Sequence, residues 1–242
     1  MDLTKEDFHN INTHINNHRN QLQGMQLSIG VTDDMEVFHA EQKKLRPFLH
    51  PAFNPQSSVF PSGGAIGVLV SNGSAKVIAC IATRRFDDTS LYSLFQSRGF
   101  WLSRPSANDY QGHLRTLFDD QPPYETGWPD WVIDEVRGCL AIHGALCVHS
   151  DYGGRGIGTH LVRLIRAATL RRWAQDWNFG IVEQHLHDRQ FQIRRYGYPH
   201  TMQAFKDHPG PGASKNDIEY LNLISKAQML AEYSRDPREL GL

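Results

Sequence analysis

The stretch HSDYGGRGIGTHLVRLIRA, residues 149–167, places Gly153, Gly154, Gly156 and Gly158 within six positions and then runs into apolar-periodic text. A glycine inside a helix costs about 1 kcal/mol relative to alanine. Four of them at a helix start therefore need a reason other than helicity. The text before them, Leu140 to Val148, reads as a buried strand, and the text after them predicts a helix from about Ile157 to Trp177. Strand, glycine loop and helix together make an anion site. The first helical turn carries free N–H groups and the positive end of the dipole. Glycines let the backbone come close and let successive N–H groups converge on a phosphate. One glycine would be explained by a tight turn that needs positive φ. Four aimed at one helix start point to a ligand.

Three kinds of phosphate ligand compete for this loop. A Walker A loop ends in Lys-Ser/Thr, whereas here the text is Gly158-Thr159-His160. A dinucleotide fingerprint needs G-x-G-x-x-G directly after its strand. Here Gly154, Gly156 and Gly158 are spaced by two, and His149 to Tyr152 intervene. Glu183, at the end of the following strand, is the one feature on the dinucleotide side. The third option is carried by LCVHSDYGGRGIGTHLV. It resembles motif A of the GNAT acyl-CoA-dependent acyltransferase superfamily, with Leu146, Val148, Tyr152, Gly156 and Gly158 in matching places. Gly153 stands where that family usually has Arg or Gln, and Arg155 inside the loop supplies a charge nearby. The resemblance is good over residues 140–184, loose over 25–85 and weak elsewhere.

The resemblance implies a set of roles. The loop, Gly154, Arg155, Gly156, Ile157, Gly158 and Thr159, would hold the pyrophosphate of acetyl-CoA or another acyl-CoA. The strand residues Leu146, Cys147 and Val148 would pair with the pantetheine arm as an added strand does. Gly144 is the expected bulge that parts this strand from its neighbour. The family's usual base positions fall on Ile142 and Gly144, which cannot act. His143 lies between them and is the candidate base, provided that the bulge turns it inward; the alternative is a histidine held in the sheet by hydrogen bonds. The family's acid, counted back from Gly197-Tyr198, falls on Ile193. Tyr196 is the nearby candidate acid, and packing at a helix end is its plainer reading.

The rest of the chain supports a single domain over residues 1–242. Its 242 residues are 40% hydrophobic and 21% charged, with a net charge of -1, so neither a nucleic-acid partner nor disorder is indicated. Arg163, Arg166, Arg171 and Arg172 read as a solvated basic face of the glycine-loop helix. No signal peptide or membrane span is predicted, and Cys80, Cys139 and Cys147 read as reduced core residues of a cytoplasmic protein. His185-x-His187 at a strand end lacks a third ligand by spacing, so no metal is expected.

Residues 4–23 predict an amphipathic helix with a capping box at Thr4 and Asp7. A short strand (residues 25–31) and a second helix from about Asp33 to Pro47 follow. Two β-branched runs around Asn72-Gly73 predict a hairpin. Residues 86–135 read as a helical insertion, with short helices at 88–96 and 106–118. Its Phe100, Trp101, Trp128 and Trp131 are expected to cover the acceptor side. Residues 188–198 predict a short helix and 217–233 one last helix. The fold class is thus α/β: a mixed, mostly antiparallel sheet flanked by helices, with the insertion before the motif A strand. The expected activity is transfer of an acyl group, most readily acetyl, to an amine by direct attack. The competing class is a non-catalytic acyl-CoA-binding or regulatory module. The acceptor and the oligomeric state are not legible.

Overall fold

A computed structural model describes residues 2–46, 51–56, 58–96, 127–204 and 218–235. The second short helix expected at 106–118, together with Phe100 and Trp101, lies outside these residues. Helix α1 (Lys5–Gly24) is followed by β1 (Ser28–Thr32) and α2 (Met35–Leu45). Then come the strands β2 (Ala65–Ser71) and β3 (Val77–Ser90) and the short helices α3 (Leu91–Gln96) and α4 (Asp130–Glu135). The central unit is β4 (Arg137–Val148), α5 (Ile157–Trp173) and β5 (Trp177–Glu183). Helices α6 (Gln184–Asp188) and α7 (Phe191–Arg194), strands β6 (His200–Gln203) and β7 (Glu219–Ser225), and helix α8 (Lys226–Tyr233) complete the chain. The sheet order is β1-β2-β3-β4-β5-β7-β6. Among the described residues only the β4/β5 pair is parallel, joined by a crossover through α5 as parallel neighbours require.

Local chemistry explains most boundaries. Thr4 and Asp7 form the expected capping box on α1. The Asp34 side chain accepts from the backbone N–H groups of Glu36 and Val37 at the start of α2. The hairpin forms, with a longer loop than Asn-Gly alone would give. Asn72 Oδ1 accepts from the N–H groups of Ser74 and Lys76, each at 3.1 Å, and Ala75 takes φ 57°. Helix α5 stops at Trp173, short of the expected Trp177, because Ala174 turns left-handed (φ 49°) and its N–H bonds back to the Leu170 carbonyl.

One sequence expectation fails for a clear reason. Residues 217–233 divide into β7 and α8, and β6 had no strand signal of its own. Strand β7 lies between β5 and β6 and is covered on both faces, so Leu221 to Ile224 are all buried. Such a short, fully buried run, apolar but for Asn222, lacks the alternation of a half-exposed strand, and periodicity cannot separate it from a buried helix. Ser225 makes the change, capping α8 through a capping box with Gln228. His185 and His187 lie on α6 and not at a strand end.

The two faces of the sheet carry separate cores. On one, Phe38, Phe53, Phe95, Trp128, Leu140, Ile142 and Phe179 pack together. Trp128 sets its edge against Phe95 at 4.8 Å and donates from Nε1 to the Gln203 carbonyl, so it is a core residue. On the other face, α1 and α5 cover Val68, Val70 and Ile81 together with Tyr196, Tyr198 and Met229.

Arg163 and Arg166 do not belong to a solvated face. Both are buried, and both donate to Glu232 at 2.9 Å. Arg163 Nε also donates to the Arg195 carbonyl and Arg166 Nη1 to the Tyr196 carbonyl, at 2.8 and 2.7 Å. Arg172 does reach solvent and pairs loosely with Asp33 at 3.7 Å. The i,i+3 spacing puts both buried arginines on one side of α5, and only the distant α8 supplies their counter-charge. Glu232→Ala leaves two buried guanidinium groups on one side without a carboxylate. It is expected to lower stability by about 3–5 kcal/mol in urea unfolding, and a loss under 1 kcal/mol would contradict the pairing.

Acid should unfold the domain early. Burial lowers the pKa of His14 to about 3 and of His18 to about 2, and holds His143 well below 6.5. Each gains a proton more readily when unfolded, so its contribution is complete above about pH 6.5 and is lost as pH falls toward its folded value. Stability is expected to drop by roughly 1.4 kcal/mol per histidine per pH unit below pH 6. Unfolding free energy measured at pH 7, 6 and 5 checks this, and a flat profile contradicts it.

Candidate functional site: a strand splay facing a glycine loop

Strands β4 and β5 pair only from Leu140 opposite Trp177 to His143 opposite Gly180. Beyond that point β5 follows β7 to Glu183, while β4 follows β3 to Val148. The two strands part, and residues 144–148 keep one edge with no strand beside it among the described residues. The cause is a bulge. Against β3 the register passes from Gly144 opposite Ala82 to Cys147 opposite Cys80, and Ala145 takes φ 53°. The expected bulge is present, centred one residue later than Gly144. Gly144 is needed for a different reason: a Cβ there would run into the Phe53 ring.

The loop sits at the mouth of this splay. Ser150–Tyr152 make one 3-10 turn, and Gly154 and Gly156 take φ 76° and 80°, which glycine alone adopts without strain. Gly156 is the N-cap of α5 and offers no side chain to cap it. The first-turn N–H groups of a 17-residue helix are thus left for an outside acceptor. Tyr152 anchors the loop by accepting at its hydroxyl from Asn72 Nδ2 at 3.0 Å. Arg155 stacks over Tyr152 at 5.0 Å and is otherwise exposed. A Cβ on Gly158 would lie 3.6 Å from Leu146, 3.8 Å from Val148 and 3.9 Å from the Tyr196 hydroxyl. The loop helix, the strand edge and this tyrosine therefore meet at one place. Ile157 is a buried anchor, and Thr159 is half-buried. Cys147 faces the opposite core beside Cys80, and burial raises its thiol pKa.

A parallel pair splaying at a bulge, with an uncapped glycine-loop helix at its mouth, decides the architecture. A seven-stranded, mostly antiparallel sheet flanked by helices, with this splay and loop, is the architecture that the resemblance to the GNAT acyltransferases implies. No protein-family model and no curated protein sequence matches the chain. Among solved structures it is similar to a Drosophila melanogaster polyamine N-acetyltransferase, described as forming N-acetylagmatine. The two are 14% identical over 82% of this chain and 100% of that one, with a TM-score of 0.46. An N-acyl amino acid synthase from uncultured soil microbes gives 8% identity, 86% and 98% coverage and a TM-score of 0.45. A Vibrio cholerae spermidine/spermine N-acetyltransferase gives 9% identity, 87% and 98% coverage and a TM-score of 0.44.

Tyr196 and His143 fare differently in this geometry. Ile193, at the counted acid position, is 46% exposed and turned away from the core. Tyr196 is 8% exposed, its carbonyl is held by Arg166, and its hydroxyl has no hydrogen-bond partner among the described residues. Burial raises its pKa, so the phenol stays protonated at neutral pH. His143 is the last β4 residue paired with β5. The bulge falls after it and leaves it in strand alternation, facing the α5 layer at 5% exposure. Its Nδ1 lies 3.4 Å from the Tyr198 hydroxyl, which donates to Asn178 Oδ1 at 2.8 Å. Its Nε2 is buried without a partner. Desolvation, and after it the Arg166 charge, holds its pKa well below 6.5. The expected inward turn is absent because the register shift comes too late in the strand, and the geometry gives this imidazole no exposed nitrogen.

The clamp of Arg163, Arg166 and Glu232 on the Arg195–Tyr196 turn was not visible in the sequence. The single available signal was two arginines three apart on an otherwise apolar helix face. Gly144→Ala is expected to push Phe53 aside and cost about 1–3 kcal/mol. Phe53→Leu in the same protein should recover part of that loss. Calorimetric melting of the single and double variants checks the contact, and no recovery would contradict it.

Proposed function

We propose that this protein is an acyl-CoA-dependent N-acyltransferase, with acetyl-CoA the favoured donor. The observation that carries the reading is the meeting of the uncapped loop helix, the unpaired β4 edge and the Tyr196 hydroxyl around Gly158. The loop N–H groups from Gly154 to Thr159 suit a pyrophosphate. The free edge at Leu146, Cys147 and Val148 suits the amides of a pantetheine arm, bound as an added strand.

In this reading the nitrogen of a neutral acceptor amine attacks the thioester carbonyl. The tetrahedral intermediate collapses, the C–S bond breaks, and the amide forms. The thiolate takes the Tyr196 phenolic proton, and the amide nitrogen loses its surplus proton to water. Tyr196 is suited to this because burial keeps it protonated and no protein group competes for its hydroxyl. His143 is given no proton-transfer step. With His143 buried at the splay apex and no other base there among the described residues, the amine has to arrive unprotonated, and rate should rise with pH toward the pKa of the acceptor.

Two variants test the reading. Gly156→Glu places bulk and negative charge where the pyrophosphate would lie, and forces a side chain onto φ 80°. It should abolish CoA binding by calorimetry while circular dichroism stays that of a folded protein. Tyr196→Phe should lower turnover about 10²-fold or more with CoA affinity nearly unchanged. A wild-type protein that binds acetyl-CoA and turns over none of a broad amine panel would instead make the chain an acyl-CoA-binding module. One that binds no CoA at all would end the proposal.

A further inference from the structure

Three histidines outside the splay form a line that ends at the glycine loop. His14 and His18 lie one turn apart on the buried face of α1, and His160 lies in the first turn of α5. His18 Nε2 is 3.0 Å from His14 Nε2, and His18 Nδ1 is 3.0 Å from His160 Nδ1. The nitrogens are engaged in series and do not converge on one point, as metal ligands would. A neutral imidazole has one donor and one acceptor nitrogen. The middle ring therefore couples the tautomers of its two neighbours. If His14 donates to His18 and His18 donates to His160 Nδ1, the proton of His160 must sit on Nε2.

That nitrogen faces the loop. His160 Nε2 lies 3.9 Å from where a Cβ on Gly156 would stand, and it has no hydrogen-bond partner among the described residues. Arg163 and Arg166 of α5 and Glu232 and Tyr233 of α8 surround the line. Glu232 offsets the two arginines locally. Burial first lowers all three: His14 to about 3, with Arg166 and Arg163 after it; His18 to about 2, with the flanking His14 and His160 and then the two arginines after it; and His160 in the same direction, with Arg163 after it. The line is thus uncharged at neutral pH and can act as a set of oriented dipoles.

We propose that His160 binds the pyrophosphate of the acyl donor through its Nε2–H, and that His18 and His14 are positioning residues that hold the proton on that nitrogen. The proposal rests on the acyl-CoA reading above. With the opposite direction of the line, Nε2 would turn a lone pair toward the loop and repel an anion, so binding and the direction of the line are coupled.

Calorimetry and nuclear magnetic resonance test it. His160→Asn keeps a polar group near His18 and removes Nε2. At pH 7.5 it should weaken CoA and 3′-dephospho-CoA alike, by about tenfold or more, the effect of one hydrogen bond to a charged acceptor. Unchanged affinity would overturn the proposal, and so would a loss confined to CoA, which would move the contact to the 3′-phosphate. If the wild type binds neither ligand, it is the acyl-CoA reading that falls. In the 15N-histidine-labelled wild type with CoA bound, His160 should carry a proton on Nε2 and none on Nδ1. His18→Phe should shift that ring toward a mixture of tautomers and weaken CoA several-fold. A bare Nε2 in the complex would overturn the proposal without any variant.

Discussion

The parting of β4 from β5 is the constraint on which the other features hang. A parallel pair that ran its full length would bury both edges and leave the glycine loop facing a closed sheet. The extra residue beside Gly144 prevents this by moving β4 out of step with β3, so that four paired residues are followed by five with a free edge. The free backbone groups are expensive in a dry core and useful at a cleft lined by polar ligand atoms. Phe53 fills the space left by the missing side chain at Gly144 and so fixes where the bend falls.

On the α5 side, the same helix does two jobs with different parts. Its first turn faces the loop and offers N–H groups, while its second and third turns carry Arg163 and Arg166 into the core. Through Glu232 these two arginines tie α5 to α8, and through the carbonyls of Arg195 and Tyr196 they tie it to the turn after α7. The phenol of Tyr196 is thereby set against the loop helix by charge-assisted bonds to its own backbone. Buried ion clusters rarely add net stability, but they are selective about geometry.

Legibility followed the range of the forces involved. The capping box of α1, the hairpin and the loop helix were readable because each is settled within a few residues. The bulge was readable from Gly144 in a strand, to within one position. What could not be read depended on covering from elsewhere in the fold. Strand β7 reads as a helix because both its faces are covered. Arg163 and Arg166 read as solvated because their carboxylate lies 69 and 66 residues away. His143 was left between an inward turn and a place in the sheet, because the sequence shows that a bulge exists but not on which side of the histidine it falls. Tyr196, one turn beyond the counted position, reaches the loop because α7 is short and the chain reverses at Gly197 (φ 73°).

The bond from Asn72 to Tyr152 has a further meaning. It joins the tip of the β2–β3 hairpin to the loop that opens α5, two segments eighty residues apart. The hairpin tip also holds itself, through the two amide bonds to Asn72 Oδ1. A loop rich in glycine has much conformational freedom to lose, and here part of that loss is settled during folding, before any ligand arrives. Docking of the proposed acyl-CoA at the loop would then be a rigid-body event. Its speed is governed by diffusion and charge rather than by a search among loop shapes.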